Sequence, residues 1–322
     1  MKKVFRFLSV VSIVSMVSIA IACAQEQPKS TVYFTSDISP EGLVKVYEAL
    51  GVTPEGRVCI KISTGEENNP NYLQPSLIKN LVEKVDGTIV ECCTAYGGAR
   101  STIESHQRVI KKHGFDIFRV DLMDETGDIK IPVQDSTWIH YDRVGDHIQN
   151  YDFMINLAHF KGHPMGGFGG VMKNASIGVA SANGKAYIHT AGYTDQLQGM
   201  WNHTKNQDGF LESMAAAAQA VHNYFGGKVI YIDVMNNMSV DCDCVDHPAG
   251  VEVKDVGILA SLDPVALDQA CVDIVFGYDS KEGDNAEPLQ KRIDSRHGIH
   301  IIEHAEKIGL GNRQYNLVKL DE

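Results

Sequence analysis

The sequence predicts an α/β fold with a mostly parallel sheet flanked by helices, arranged in one or two lobes. Segments typical of strands alternate with segments typical of helices along most of the chain, an order that favours a parallel sheet. The chain has 322 residues and is 43% hydrophobic, which is enough for one large α/β domain or two packed lobes. No linker forces a boundary. Residues 31–322 are therefore predicted to form a single domain, with a weak sub-boundary near residues 141–150.

In the first half of the chain, strands are predicted from short apolar runs and helices from their capping residues. Ser39 is a good N-cap and Pro40 suits the first helical position, so a helix should begin there. The predicted strands are residues 31–35, 57–63, 88–93 and 116–121, and the predicted helices are residues 40–50, 75–85 and 102–112. Residues 129–141 are expected to form a short antiparallel addition.

The alternation continues in the second half of the chain. A buried strand is predicted at residues 153–158, where a short apolar run has few polar interruptions. Strands should also form at residues 228–235 and 256–260, and helices at residues 171–180, 210–225 and 296–307. Asp263 is predicted to cap another helix, which begins at Pro264.

The first 22 residues have the pattern of a targeting segment, with a charged start and an apolar run over residues 7–22. This run is too short to span a membrane comfortably, and small residues follow it. Ala20-Ile21-Ala22-Cys23 resembles a bacterial lipobox, which predicts a signal peptide over residues 1–22 and lipid attachment at Cys23. Ordinary cleavage nearby is the alternative. Residues 23–30 are expected to be a polar tether.

These features predict an exported protein of the bacterial cell envelope, on the periplasmic side or at the cell surface. Its contact with the membrane is expected to be through the N-terminal lipid only. The formal net charge is -12, so nucleic acid is not an expected partner. The oligomeric state cannot be read from the sequence.

Residues 156–190 combine three histidines, three lysines and many glycines directly after a predicted strand. Residues 159–170 are predicted to be a loop that leaves the carboxyl end of this strand and enters a helix, where ligands bind in open α/β sheets. The cofactor-binding candidates in the loop are Gly166, Gly167, Gly169 and Gly170, whose N–H groups are expected to form a nest for an anion. The alternative is a tight turn with incidental histidines. The loop matches neither the P-loop nor the Rossmann fingerprint.

Two side chains of this segment are candidates for catalysis. Lys173 falls in the first turn of the predicted helix, where its charge adds to the positive helix end unless a bound anion complements it. His163 lies just before the glycines and is predicted to face the same ligand and exchange a proton with it.

Asn174 and Arg100 are further candidates for cofactor binding. Arg100 follows a second glycine-containing segment and offers two parallel donors to a carboxylate or phosphate. A surface position is the alternative for Arg100.

Residues 241–247 place thiols, carboxylates and an imidazole within seven positions, and all three groups are potential metal ligands. The predicted metal ligands are His159, His163, Cys242 and Cys244. Cys-x-Cys is not the Cys-x-x-Cys pattern of zinc ribbons or ferredoxins. A redox-active pair and a purely structural loop therefore remain alternatives for Cys242 and Cys244.

Several segments together resemble the bacterial family known as domain of unknown function 362, whose members are often labelled iron–sulfur-centre proteins. The resemblance covers nearly the whole chain after residue 30. The segments that carry it are residues 33–43, 88–92, 94–98, 159–163, 166–170, 241–244 and 257–270. Many relatives carry a ferredoxin-like insertion with Cys-x-x-Cys runs, which this sequence lacks between the glycine-rich segment and Phe210. This departure removes the main reason to expect a [4Fe–4S] cluster.

A second resemblance is confined to one segment. His163, residues 166–170 and Lys173 are similar to a segment of the nickel-dependent lactate racemase family, in which a histidine precedes a glycine-rich turn and a lysine. In that family the lysine holds a nickel cofactor derived from nicotinate, and histidines ligate the metal or move protons. The resemblance implies a metal cofactor near Lys173.

The sequence therefore predicts an exported lipoprotein with a metal or anionic-cofactor site on its glycine-rich segment. Its expected partner is a small anionic ligand or a metal ion. The first functional hypothesis is an enzyme acting on a small organic acid. The alternatives are a non-catalytic protein that binds a metal or a small anion, and an iron–sulfur or thiol redox protein. The sequence does not identify the cofactor, although a metal ion is the candidate, and it leaves open whether the protein is an enzyme.

Overall fold

A computed structural model describes residues 29–251, 253–281 and 284–321. The predicted signal peptide, the predicted lipidation site Cys23 and most of the predicted tether lie outside the described residues. None of the described helices is both long enough and apolar enough to cross a bilayer.

The described part of the chain contains one large sheet and two small ones. The strands are β1 Ser30–Thr35, β2 Val58–Lys61, β3 Thr88–Glu91, β4 Val120–Leu122, β5 Asp128–Pro132, β6 Tyr141–Gly145, β7 Phe153–His159, β8 Lys161–His163, β9 Gly167–Gly169, β10 Val229–Met235, β11 Gly257–Ser261 and β12 Tyr315–Lys319. The large sheet has the order β12-β1-β11-β10-β7-β2-β3-β4, while β5 pairs with β6 and β8 with β9. In the large sheet β11 is antiparallel to both neighbours and all other pairings are parallel. The predicted mostly parallel sheet is confirmed.

Helices cover both faces of the large sheet. They are α1 Pro40–Ala49, α2 Pro75–Lys84, α3 Ile103–Lys112, α4 Val171–Ala175, α5 Ala182–His189, α6 Gln207–Tyr224, α7 Pro264–Phe276, α8 Glu287–Ser295 and α9 His300–Lys307. Successive side chains of a strand point to opposite faces. In β7, Ile155 packs in the same cluster as Leu43 of α1, whereas Met154 packs in the cluster that contains Met214 of α6 and Leu267 of α7.

Local capping signals account for three of the predicted helix starts. Ser39 accepts a hydrogen bond from Gly42 N at the start of α1, and Thr102 forms a capping box with Ser105 at the start of α3. Asp263 accepts hydrogen bonds from two backbone N–H groups at the start of α7. These side chains satisfy N–H groups that have no partner within the helix. The three helices therefore begin where the sequence predicts.

The helix predicted over residues 171–180 is wrong in length. Helix α4 ends at Ala175, and α5 begins after a new cap, Ser181, whose hydroxyl accepts a hydrogen bond from Gly184 N. A methyl group at Gly178 would collide with the Asn174 carbonyl and lie within 3 Å of the Lys61 side chain. The segment after α4 thus packs closely against the side chain of Lys61, the last residue of β2.

Three other predictions also need correction. Residues 159–170 are not a plain loop, because β8 and β9 form a buried antiparallel pair within them. The strand predicted at residues 116–121 begins only at Val120, after a short 3-10 turn. The last helix begins at His300 rather than at residue 296, because His297 has a left-handed backbone with φ of 51° that interrupts the helix. Helix α8 and strand β12 were not predicted.

The strand order reverses between β2 and β7. From β2 the chain moves outward through β3 and β4, whereas β7 and β10 lie on the other side of β2. Ligands of open α/β sheets bind at the carboxyl ends of strands at such a reversal. Lys61 is the last residue of β2 and His159 the last residue of β7, so the residues after them surround the expected ligand position.

Candidate functional site

A cavity of about 150 Å³ lies at this reversal of strand order. Its walls come from the ends of β2 and β3, the turn before α3, the segment after β8, and helices α4 and α5. Ten residues of the lining have a side chain with nitrogen or are cysteines. They are Lys61, Cys92, Arg100, His163, Lys173, Asn174, Lys185, His189, Trp201 and Cys244. The candidate catalytic pair, His163 and Lys173, therefore shares one cavity.

Basic groups outnumber acidic groups in the lining of this cavity. Glu91 is the carboxylate of the lining, and it already has partners: Arg100 Nη1 donates to one oxygen at 3.2 Å and His106 Nε2 lies 2.7 Å from the other. Burial opposes ionisation, but Arg100 and His106 outweigh it and hold the pKa of Glu91 below its usual range. The lysines of the lining are left without a lining carboxylate of their own. This charge balance favours an anionic ligand.

Two of these lysines are tied to the protein. Lys61 Nζ donates to Asn174 Oδ1 at 3.1 Å and to the carbonyl of Ile62, and Lys185 Nζ donates to the carbonyl of Ala180. Burial lowers the pKa of Lys61 to about 8, with partial opposition from Glu91. Both groups thus have fixed positions in the cavity wall.

Lys173 differs from its neighbours because its ammonium group makes no hydrogen bond or ion pair with any of the described residues. Burial lowers its pKa to about 7, and the nearby charge of Lys161 acts in the same direction against the attraction of Asp243. Amine and ammonium forms are then both populated near pH 7. A group in this state can accept or donate a proton at the pH where enzymes work.

His163 is held in one tautomer by the backbone of the glycine-rich segment. Its Nδ1 accepts hydrogen bonds from Gly166 N at 2.8 Å and Met165 N at 3.2 Å. Burial lowers its pKa well below the usual value, and the charge of Lys173 adds to this effect. The ring is therefore neutral and carries its proton on Nε2. This favours a role as proton donor over the predicted role as metal ligand, since a ligand nitrogen needs a free lone pair.

His189 is a lining residue that the sequence reasoning did not single out as a site residue. Its Nδ1 lies 2.7 Å from the carbonyl oxygen of Lys185 and donates to it. Burial lowers its pKa to about 4, so the ring is neutral and Nε2 holds a lone pair. The cavity thus contains one imidazole that donates, His163, and one that accepts, His189.

His159 does not line the cavity and is fully engaged elsewhere. Its Nδ1 lies 2.8 Å from Asp243 Oδ1 and its Nε2 lies 2.6 Å from the carbonyl oxygen of Asn236. Each ring nitrogen lies opposite an oxygen that accepts a hydrogen bond, so each nitrogen must carry a proton. Neither nitrogen then has a lone pair for a metal.

Asp243 is also paired with a lysine, since Lys161 Nζ lies 3.0 Å from its other oxygen. Burial opposes ionisation of Asp243, yet Lys161 and His159 hold its pKa well below the usual range.

The four glycines predicted to bind a cofactor lie outside the cavity lining. The N–H groups of Val171 and Met172, at the start of α4, donate to the two oxygens of Asp268 at 2.9 and 3.1 Å. A methyl group at Gly170 would collide with the same carboxylate. The anion at this helix start is therefore supplied by α7 of the protein itself. Burial raises the pKa of Asp268 to about 6, although the carboxyl of Asp233 and the N–H groups of Met172 and Val171 act in the opposite direction.

Arg100 is only 4% exposed, so the alternative of a surface position is wrong. Its guanidinium donates to Glu91 and to the hydroxyl of Tyr96 at 3.2 Å each. Its donors are directed at protein groups as well as at the cavity. The side chain of Asn174 also holds the protein together, because its amide donates to the Lys61 carbonyl at 2.9 Å and to Asn156 Oδ1 at 2.6 Å.

Cys242 and Cys244 are joined as a disulfide, and Cys244 lines the cavity. Their predicted proximity to His163 is confirmed, because one ligand atom from each of the three residues lies within 4.8 Å of the others. A disulfide provides no thiolate, and thiolate is the form of cysteine that binds metals. A metal at this position thus requires prior reduction of the pair.

An iron–sulfur cluster does not fit the donors that the described residues bring together. A [4Fe–4S] cluster is held by four thiolates. The described cysteines outside the disulfide are Cys59, Cys92, Cys93 and Cys271, and none of them joins a group of three or more possible metal ligands.

The fold and the site together define an α/β protein with a cationic cavity at the carboxyl ends of parallel strands. The chain belongs to the family described as "Domain of unknown function (DUF362)", whose model matches residues 58–273. This match includes every lining residue of the cavity. No curated protein matches the chain.

Two solved structures are similar to this chain at low identity. The lactate racemase apoprotein from Thermoanaerobacterium thermosaccharolyticum has 16% identity and a TM-score of 0.36, with 63% of this chain and 50% of that chain covered. A protein from Thermotoga maritima has 11% identity and a TM-score of 0.39, with 83% and 58% covered. The chain thus matches 50% of the length of the first protein and 58% of the length of the second. At these TM-scores the two structures give no information about the site.

Proposed function

We propose that the cavity binds a small organic acid and that Lys173 and His163 exchange protons with it. The observation that carries the proposal is Lys173, a half-buried lysine whose amine faces the cavity without a partner among the described residues. A structural lysine in the interior has a carboxylate or carbonyl partner. Lys161, Lys61 and Lys185 all follow this rule, whereas Lys173 does not.

The ligand class follows from the charge and size of the cavity. A carboxylate of the ligand would neutralise the lysines of the lining, which Glu91 cannot do because Arg100 and His106 hold it. A cavity of about 150 Å³ has room for a molecule of roughly the size of benzene. The best fit is an organic acid with about six non-hydrogen atoms.

The chemistry follows from the protonation states in the cavity. The amine form of Lys173 accepts a proton from the ligand, and its ammonium form returns one. The Nε2–H group of the neutral His163 stabilises charge that develops on a ligand oxygen. The Nε2 lone pair of His189 accepts a hydrogen bond from a ligand hydroxyl. These roles define proton transfer on a small organic acid as the reaction class.

A second candidate function is thiol redox chemistry, which the position of the Cys242–Cys244 disulfide supports. Cys244 borders the same cavity as His163. Reduction would supply two thiolates beside an imidazole, the donor types that bind zinc and related metals. In this second reading the metal or redox site exists only in the reduced protein.

The proposed location is the bacterial cell envelope, with the lipid on Cys23 as the anchor. This proposal is supported by the charged start, the apolar run and the lipobox-like residues 20–23.

The test measures binding of small mono- and dicarboxylates by calorimetry to the wild type and to Lys173→Met, which removes the charge at similar volume. Lys111→Met is the matched control, since Lys111 is an exposed lysine. At least one carboxylate should bind to the wild type and to the control, and binding should weaken strongly in Lys173→Met. Equal binding to all three proteins, or no binding to any, would overturn the proposal.

Catalysis is tested separately from binding. Each carboxylate that binds is incubated with the protein in D₂O, and exchange of its carbon-bound hydrogens is followed by NMR. Exchange that is present in the wild type and lost in Lys173→Met, at a carboxylate concentration that saturates the variant, supports proton transfer. Binding without exchange of any ligand would remove the catalytic half of the proposal and leave an anion-binding protein.

A further inference from the structure

A second group of metal-binding side chains lies where α8 ends and α9 begins. His297, His300 and Glu303 each offer one ligand atom, and these atoms lie within 4.8 Å of one another. None of the three residues lines the cavity described above. His297 and Glu303 are exposed and His300 is half-buried, so an ion can reach the group from solvent.

The hydrogen bonds of the two rings leave one nitrogen of each free. His297 Nδ1 lies 2.7 Å from Asp208 Oδ1, which leaves Nε2. His300 Nε2 lies 2.9 Å from Glu212 Oε1, which leaves Nδ1. In each ring, the nitrogen that faces the carboxylate carries the proton. The lone pair is therefore on the other nitrogen. A carboxylate behind the ring is the usual arrangement for a histidine that binds a metal.

Glu303 completes the group from the first turn of α9. One of its oxygens lies 3.4 Å from Arg313 Nη1, and the other faces His300 Nδ1 at 3.6 Å. That separation is too long for a hydrogen bond. The oxygen and the ring nitrogen therefore face each other without bonding, as two ligands of one ion do.

The backbone also places His297 beside His300. His297 has a left-handed backbone with φ of 51°, a conformation that is uncommon outside glycine. It brings the two imidazoles into a stack with centroids 4.7 Å apart and planes 16° apart. Two rings with free nitrogens are thus held face to face next to three carboxylates.

We propose that His297, His300 and Glu303 bind a divalent transition-metal ion of the zinc type, with Asp208 and Glu212 as positioning residues. Two imidazoles and a carboxylate are ligands that suit zinc, nickel and copper(II). The negative charge of Asp208, Glu212 and Glu303 favours a cation at this place. Three protein ligands leave at least one coordination position open to water or to another molecule.

The experiment titrates tag-free protein with Zn²⁺ by calorimetry under non-reducing conditions, so that the Cys242–Cys244 disulfide remains closed. The wild type should bind one equivalent. His300→Ala and Glu303→Gln should each weaken binding by about tenfold or more, and Asp208→Asn by about 10- to 100-fold. His247→Ala is the control, because His247 is an exposed histidine outside the group, and it should bind like the wild type.

Substitution with Co²⁺ gives an independent readout, because nitrogen ligands change the visible absorption of the bound ion. This spectrum should appear with the wild type and vanish in a His297→Ala/His300→Ala variant whose circular dichroism is unchanged. One equivalent of Zn²⁺ bound equally by the double variant would overturn the proposal, as would the absence of Zn²⁺ binding to the wild type. Neither result bears on the anion-binding cavity, whose test uses carboxylates and different residues.

Discussion

The carboxylate of Asp243 lies 3.0 Å from the ammonium group of Lys161 and leaves Lys173 as the unpaired lysine of this part of the structure. The two lysines are twelve positions apart in the same glycine-rich segment. Lys161 stabilises the fold through an ion pair, whereas Lys173 is half-buried and has no carboxylate that offsets its loss of hydration. This contrast gives the first prediction.

Lys173→Met is expected to stabilise the protein at pH 7.5. The unfolded chain binds a proton at Lys173 up to its ordinary pKa of 10.5, whereas the folded chain releases this proton above about pH 7. Stability of the wild type therefore rises with pH between these values, because the unfolded state binds more protons there. Each pKa unit corresponds to about 1.4 kcal/mol, so the variant should gain a few kcal/mol at neutral pH and lose this advantage by pH 10.5.

Urea unfolding at pH 7.5 and pH 10 measures this difference. Lys161→Met provides the contrast, since it leaves a buried carboxylate without its lysine and should cost about 3–5 kcal/mol. If Lys173→Met and Lys161→Met are equally destabilised, Lys173 has a structural partner. The proposed role of Lys173 in binding and proton transfer would then lose its support.

Asp142 in β6 should make stability fall as pH rises. The residue is fully buried, and neither of its oxygens has a hydrogen-bond partner among the described residues. Burial raises its pKa to about 7 from an ordinary value of 3.8. The folded state thus binds more protons than the unfolded state between these values, and stability is lost as pH rises through them.

Asp142→Asn cannot titrate and should gain stability relative to the wild type as pH increases from 4 to 7. The difference should reach roughly a few kcal/mol and stay constant at higher pH. Thermal unfolding at pH 4, 6 and 8 measures it. Asp116→Asn, at an exposed position, should show no such trend. A pH-independent effect of Asp142→Asn would contradict the assignment.

Thiol reactivity should depend on the Cys242–Cys244 disulfide. The four other described cysteines are buried, and burial raises the pKa of Cys93 to about 12. In a Cys23→Ser chain, a thiol reagent should find no fast-reacting group before mild reduction. After reduction Cys244 should react first, because Cys242 is only 1% exposed. Cys244→Ser should abolish the fast reaction, and its persistence would place the reactive thiol elsewhere.

Reduction is also expected to create Zn²⁺ binding at the cavity. The two thiolates would then be available next to His163. In a His300→Ala background, which removes the surface site, Zn²⁺ should bind only after reduction. Binding that is the same before and after reduction would exclude a role for these thiolates.

Cys23→Ser tests the predicted lipid anchor. Wild-type protein should be found in the membrane fraction and should be released by detergent but not by high salt. The serine variant should lose membrane attachment, because the lipid is the expected contact with the bilayer. Equal membrane association of both proteins would contradict the anchor.

The sequence predicted those parts of the fold that depend on local chemistry. Ser39 and Asp263 mark helix starts because a capping side chain acts within three residues of itself. Strand β12 escaped prediction because four of its five residues are exposed, so it lacks the apolar pattern of a buried strand. Strands β8 and β9 were not predicted because their glycines interrupt the apolar pattern of a buried strand.

The candidate site was predictable only in part for the same reason. His163 and Lys173 could be found because they lie together in one segment. Lys61 reaches Asn174 across 113 positions, and Asp268 reaches Val171 across 97. No local pattern encodes such contacts. A lysine at the end of the apolar run of β2 was the one available signal for Lys61, since buried lysines are rare.

The close packing of the glycine-rich segment changes how sequences of relatives should be compared. A methyl group at Gly162 would collide with the backbone of Val240, one at Gly167 would lie 2.9 Å from Gly298 Cα, and one at Gly170 would collide with Asp268. These glycines are fixed by neighbouring protein atoms and not by a ligand. An alignment that keeps all of them would therefore record selection for the fold, and two relatives with identical glycines can act on different molecules. The identity of the residue at position 173 is the better guide to which relatives share a chemistry.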